Sequence, residues 1–318
     1  MRSQAAILRI PSERVFALPS ADLQTWGQML LRYLLLFLGV LACSTSAVFI
    51  RESATDPLVL TALRLVMASM VLAPVYLVQR RRHREAFTAA HLSRTRLPAL
   101  VLALHLVSWT LGARMTAVAQ ATLIVNLVPI ALPFFLFWLA REHINRAEVL
   151  GTLLAVAGLA TLSVKDVVQG GGSLAGDLVC VLSMLLFALY LALGRRNRDF
   201  PSIWLYVIPV YAQASLLCLL VALPRIGTFA FGSAREWAFM ACLALVPTVC
   251  GHSLLNAAMR RIRGQIVSLC NVSQFVFAGL LGYFLFHEVP RGLFYAASAI
   301  VVAGVAIVVA AMPPEPAP

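Results

Sequence analysis

Ten apolar stretches separated by short polar breaks run from about residue 29 to residue 312 of the 318-residue chain. They lie at 30–50, 57–78, 97–116, 119–140, 147–165, 174–194, 202–223, 237–257, 264–286 and 291–312. A helix of roughly 20 apolar residues crosses the ~30 Å hydrocarbon core of a bilayer. Within lipid, backbone polar groups must be satisfied inside the segment or in a closed barrel. Alternating strand patterns are absent, so helices are expected throughout. Hydrophobic residues make up 61% of the chain and charged residues 12%, with a mean hydropathy of +0.89. A soluble protein carries about twice that charge. The expected class is all-α integral membrane, with ten transmembrane helices and no separate soluble domain.

The net charge of +12 reads as topology. With the N-terminus inside, 18 of the 25 basic residues fall on the cytoplasmic side, including Arg80, Arg81, Arg82 and Arg84. Six fall on the other side, and Arg64 lies within a span. That is the positive-inside bias of an N-in, C-in protein, with anionic lipid as a secondary partner. No recognition fold accompanies the arginines, so nucleic-acid binding is not expected. Residues 1–28 read as a cytosolic arm, because Glu13, Asp22, Pro11 and Pro19 interrupt any signal-peptide core. Residues 313–318 form a Pro-rich tail expected to be disordered.

An offset of 146 residues lays one half over the other: Arg114 meets Arg260, Glu142 meets Glu288 and Gly158 meets Gly304. The expected units are 29–166 and 174–312, five spans each. An odd number of spans makes the second copy enter from the opposite side. Such inverted repeats give transporters two related conformations around a midplane site.

The stretches Ser44-Thr-Ser-Ala-Val-Phe-Ile-Arg51, Pro57…Leu63-Arg64-Leu65, His105-Leu-Val-Ser-Trp109 and Val246-Pro-Thr-Val-Cys-Gly-His-Ser-Leu-Leu-Asn256 with Arg260, together with the two Glu-terminated helices, carry a resemblance. In this order, over about residues 30–312, the chain resembles the EamA-type branch of the drug/metabolite transporter superfamily. The resemblance implies ten helices, small-solute transport and a central cavity lined by spans one, three, four, six, eight and nine. It also includes an arginine at Arg64. The chain departs from the family at Gln274-Phe275, where Glu-Pro is frequent.

Ionisable groups are costly in hydrocarbon, which makes each a site candidate. The 13 acidic residues fall in loops, tails or span ends. His105 and Trp109 share a face of span three, as a proton or hydrogen-bond site with an aromatic wall, or as a neutral histidine bonded to a neighbouring helix. His252 and Asn256 repeat the four-residue spacing in span eight. Asn126 and Asn271 each lie about eight residues into their spans, ~12 Å deep at 1.5 Å per residue, as inverted symmetry would place site residues or interhelical glue. Gln274 lies one turn beyond Asn271, so the two amides are expected to face the cavity together. Ser44, Ser46 and Tyr190 are weaker candidates, since hydroxyls can bond their own helix. Arg64 reads as a snorkelling structural charge, through a salt bridge or carbonyl cap, more than as a substrate contact. Pro129 and Pro133 should loosen span four, as a gate or a packing kink.

Gly151, Ala155 and Gly158, and Ala299 and Ala303, form small-residue stripes for packing within the chain or for a homodimer seam. The six cysteines all fall in spans and suggest neither disulfides nor zinc. No P-loop, H-E-x-x-H or G-x-S-x-G pattern occurs, so no cofactor, metal or direct ATP use is expected. The leading expectation is a secondary transporter of a bacterial inner membrane that exports small metabolites, amino acids or drug-like solutes by alternating access. Its cavity is expected to be neutral, amide-rich and aromatic-walled, suited to uncharged, zwitterionic or weakly polar solutes, with His105 or His252 carrying any coupled proton. A membrane-embedded lipid enzyme and a non-transporting subunit are the alternatives.

Overall fold

A computed structural model describes residues 20–116, 118–168, 173–229, 233–286 and 292–311. Among these residues the regular structure is helical, with no strand. Glu288, much of the expected arm 1–28 and the tail 313–318 lie outside the described residues, although the first helix already starts at Ser20.

Seven helical segments are long and apolar enough to cross a bilayer: 27–52, 57–82, 89–115, 121–140, 174–196, 203–228 and 234–261. The other three expected stretches are also helical, at Arg146–Val168, Gly264–Phe286 with a break, and Gly292–Ala310. The sequence expectation of ten spans is therefore met by length and composition at seven. The ninth stretch is divided at Ser273, which leaves two short helices where one long one was expected.

In chain order the elements are α1 (Ser20–Ser44), α2 (Ser46–Glu52), α3 (Pro57–Arg82), α4 (Ala89–Arg94), α5 (Arg96–Met115), α6 (Val118–Val125), α7 (Val128–Ala140), α8 (Arg146–Val168), α9 (Leu174–Arg196) and α10 (Ile203–Ala222). After a 3-10 turn at Leu223–Thr228 come α11 (Ala234–Leu243), a π-helical segment at Ala244–His252, α12 (Ser253–Arg261), α13 (Gly264–Val272), α14 (Gln274–Phe286) and α15 (Gly292–Ala310).

The 146-residue offset reappears in the helix boundaries. The starts of α3 and α10 and of α7 and α14 are each related by it. The local chemistry matches as well. The Asp56 carboxylate caps α3 by accepting from the Leu58 and Val59 N–H groups, and the Ser202 hydroxyl caps α10 by accepting from the Trp204 N–H; each satisfies donors that a helix start leaves unpaired. Arg114 donates to the carbonyls of Ile50 and Ser53, and Arg260 donates to that of Phe200, close to the related position.

Helices α8 and α15 make one close pair. A Cβ at Gly151 would sit 2.2 Å from Val308 Cγ2 and 2.8 Å from the Gly304 carbonyl oxygen. Gly151, Ala155 and Gly158 thus serve packing within the chain, which answers the stripe on span five. Ala299 and Ala303 are on the exposed side of α15, away from that contact.

Candidate functional site

Helix α5 gives the molecule a ruler. Arg94 just precedes it, Arg114 closes it, and His105 lies halfway; at 1.5 Å per residue the two arginines are ~30 Å apart, the thickness of a hydrocarbon core. Polar side chains gather at these three levels.

At the middle level His105 is buried against α9. Its Nδ1 lies 3.0 Å from the Ser183 carbonyl oxygen and 3.0 Å from Ser183 Oγ. A carbonyl only accepts, so His105 carries its proton at Nδ1 and Nε2 holds the lone pair. Ser183 Oγ donates in turn to the His105 carbonyl. The His105 ring stacks on Phe187 at 4.7 Å and meets His252 edge-on at 6.2 Å. His252 also lies edge-on to Phe187 and Tyr190. One turn along α12, Asn256 Nδ2 donates to Tyr190 Oη at 2.8 Å and to the His252 carbonyl. One turn earlier, Thr248 Oγ1 donates to the Leu243 carbonyl, five residues back, as the π-helical winding requires.

Arg64 joins this level from α3. Its Nε and Nη2 donate to Thr248 Oγ1 at 3.1 and 2.9 Å. It was expected to snorkel to a salt bridge or a carbonyl cap; instead it is 1% exposed and bonds a hydroxyl. The side chain turns inward because the π segment offers a polar partner at its own depth. A centre expected to be neutral thereby gains a cation. Tyr211 completes the cluster, its hydroxyl donating to the Thr248 carbonyl and sharing a bond with Ser253 Oγ. Trp109 Nε1 donates to Ser46 Oγ at 3.4 Å at its edge.

Other candidates stand apart. Ser44 Oγ bonds the Leu41 carbonyl of its own helix. Asn126 sits at the break between α6 and α7, with Nδ2 donating to the Thr122 carbonyl. Asn271 precedes the matching break before α14, and its Oδ1 accepts from Gln274 Nε2, so these two amides pair with each other. Pro129 occupies the first turn of α7 and Pro133 its interior. Proline 133 has no N–H for the Pro129 carbonyl, and Gln265 Nε2 of α13 fills that vacancy at 3.0 Å while also reaching Thr152 Oγ1.

The two outer levels tie one half to the other. At the Arg94 end, Arg94 forms a bidentate pair with Asp199, Arg195 Nε meets Glu142 at 2.9 Å, and Arg263 holds both oxygens of Glu148. At the Arg114 end, Glu236 accepts from the hydroxyls of Ser53 and Thr55 and from the Ala54 and Thr55 N–H groups, and Thr116 donates to Asp177.

Sequence reading pointed to His105, Trp109, Tyr190, His252 and Asn256, and missed Ser183, Phe187, Tyr211, Thr248 and Gln265. The signal for some was present: Ser183, Phe187 and Tyr190 are spaced as one helix face, and Thr248, His252 and Asn256 recur every four residues.

A solved crystal structure shares this fold with a TM-score of 0.71 at 20% identity, covering 87% of this chain and 96% of its own. An uncharacterized transporter of Archaeoglobus fulgidus is 25% identical over 275 residues, 85% of this chain and 93% of the relative. The EamA-like transporter family matches twice, at residues 30–164 and 174–310, once on each side of the 146-residue offset. With both halves accounted for, the chain belongs to the EamA-like transporter family.

Proposed function

We propose that the protein is a secondary transporter that exports small metabolites, amino acids or drug-like solutes by alternating access. In this reading ten spans form two inverted five-helix repeats, 29–166 and 174–312, with both termini in the cytoplasm of a bacterium and the chain in its inner membrane. The solute passes unchanged, so the chain is not an enzyme.

One observation carries the proposal. A buried polar and aromatic cluster, built from α3 and α5 of one half and α9, α10, α12 and the π segment of the other, lies midway between two layers that each join the halves. Opening one layer while the other stays closed exposes the cluster to one side at a time, which is what an alternating-access cycle needs. The basic residues favour the cytoplasm for the Arg94, Arg195 and Arg263 layer.

Flux of a broad metabolite panel in proteoliposomes tests it. His105→Ala removes the stack on Phe187 and the bond to Ser183, and Asn256→Ala removes the bond to Tyr190. Each is expected to lower flux at least about tenfold, the cost of about one misplaced contact of 1.4 kcal/mol, with helical content and monodispersity retained. Flux that neither substitution alters would remove the central cluster from the transport path. No flux of any panel member would remove the transporter reading.

A further inference from the structure

Arg64 has more charge than its contacts use. Nε and Nη2 share Thr248 Oγ1, while Nη1 has no hydrogen-bond partner. Among the described residues no carboxylate pairs with it; its titratable neighbours are the thiols of Cys43 and Cys218, the hydroxyl of Tyr211 and the imidazoles of His105 and His252. A buried guanidinium without a counter-ion is expensive, and a buried donor without an acceptor calls for a cause. Support of the π segment is not a sufficient one. Thr248 Oγ1 needs only N–H donors for that, and a neutral side chain could supply them.

A second unpartnered atom lies on the π segment that Arg64 bonds. His252 Nδ1 is buried without a partner, one turn beyond Thr248. Its ring faces His105, Phe187 and Tyr190. The π segment thus meets an uncompensated cation, bonded to Thr248 from α3, and one turn on it carries an unpartnered imidazole nitrogen beside a wall of rings.

We propose that the solute carries a single carboxylate that docks on Arg64 Nη1, with a hydrogen-bonding group reaching His252 Nδ1 and a flat or apolar part against Phe187 and His105. The proposal rests on the transporter reading of this cluster. A monoanion matches the one guanidinium; a dianion would leave a charge buried without a partner.

Matched acids and amides test it: benzoate against benzamide, phenylacetate against phenylacetamide, and phenylalanine against phenylalaninamide. A ligand that binds the folded state raises its melting temperature, so the acids are expected to raise it in purified protein and the amides to leave it unchanged. In Arg64→Gln the affinity for acids should fall at least about 30-fold, as for one partner removed from a buried charge pair. Arg64→Lys keeps the charge and should retain part of the shift, which separates lost binding from lost folding. Amides that stabilise as well as acids, acids that bind Arg64→Gln as they bind the wild type, or no acid that shifts the wild type would each overturn the carboxylate site. Acids that shift melting but do not cross proteoliposomes would overturn the transporter reading and leave the carboxylate site standing. Amides transported as fast as acids would do the reverse.

Discussion

Gln265 shows how a single side chain can answer a defect on another helix. Pro133 deprives the Pro129 carbonyl of its intrahelical donor, and Gln265 Nε2 replaces that donor from across the interface between the halves. Gln265→Leu leaves a buried carbonyl unpaired and is expected to cost about 1–3 kcal/mol, read as a lower melting temperature. Adding Pro133→Ala restores an N–H at position 133, so the double variant should recover much of that loss; additive losses would refute the pairing. Pro133 was visible in the sequence as a perturbation, but its remedy was not, because nothing local marks which distant amide arrives. Arg64 shows the same limit: its depth was legible, while the hydroxyl it finds belongs to a π-helical turn formed 184 residues later. At the surface, the hydrogen bonds from Arg94 hold the Asp199 carboxyl below its usual range. A depressed folded-state value stabilises the protein above the unfolded value and loses that contribution as pH falls through the folded one. Asp199→Asn should therefore lower stability at neutral pH by no more than about 1 kcal/mol for so exposed a pair, with the difference from wild type shrinking below pH ~4. A constant difference across that range would show that charge is not involved.

Elements reveal what periodicity could and could not resolve. Helices α3, α5, α9 and α10 follow from long apolar runs, α3, α9 and α10 with side-chain caps at their starts, and they lie within a few residues of the expected bounds. The division of the fourth stretch has a local cause, since Pro129 suits the first turn of a new helix. The division of the ninth at Ser273 has no proline or glycine beside it, and only the 146-residue relation to Leu127 makes it intelligible. The stop after α7 is similarly hidden. Arg141 ends that helix in the left-handed region at φ 56°, where a side chain costs about 1–2 kcal/mol that glycine avoids. The turn is kept because it delivers Glu142 to Arg195 and to the Gly264 N–H. Arg141→Gly is expected to leave flux intact and to stabilise the protein by up to about 1 kcal/mol in thermal melts; destabilisation would show that the guanidinium outweighs the backbone cost.

For the whole molecule the decisive relation is between the two layers that join the halves. Both use carboxylates, but in different surroundings. Glu142 lies between Arg195 and Arg263, whereas Glu236 is held by hydroxyls and backbone N–H groups of the turn after α2. If they are the two gates of one cycle, weakening either should bias the protein toward the state open on that side, by no more than the interaction lost. Ser253→Cys in a cysteine-free background places a small reporter beside Tyr211 in the central cluster. Glu142→Gln should then speed labelling by a membrane-impermeant maleimide applied to inside-out vesicles, and Glu236→Gln should speed it in right-side-out cells. Removing one charge-assisted contact of about 1.5–3 kcal/mol predicts a roughly tenfold or greater change in the open fraction where the closed state dominates. The combined variant should lose the asymmetry, because both layers are weakened together. Two variants that accelerate labelling from the same face would mean that the layers do not oppose each other, and the inverted arrangement of the halves would have to be abandoned with them.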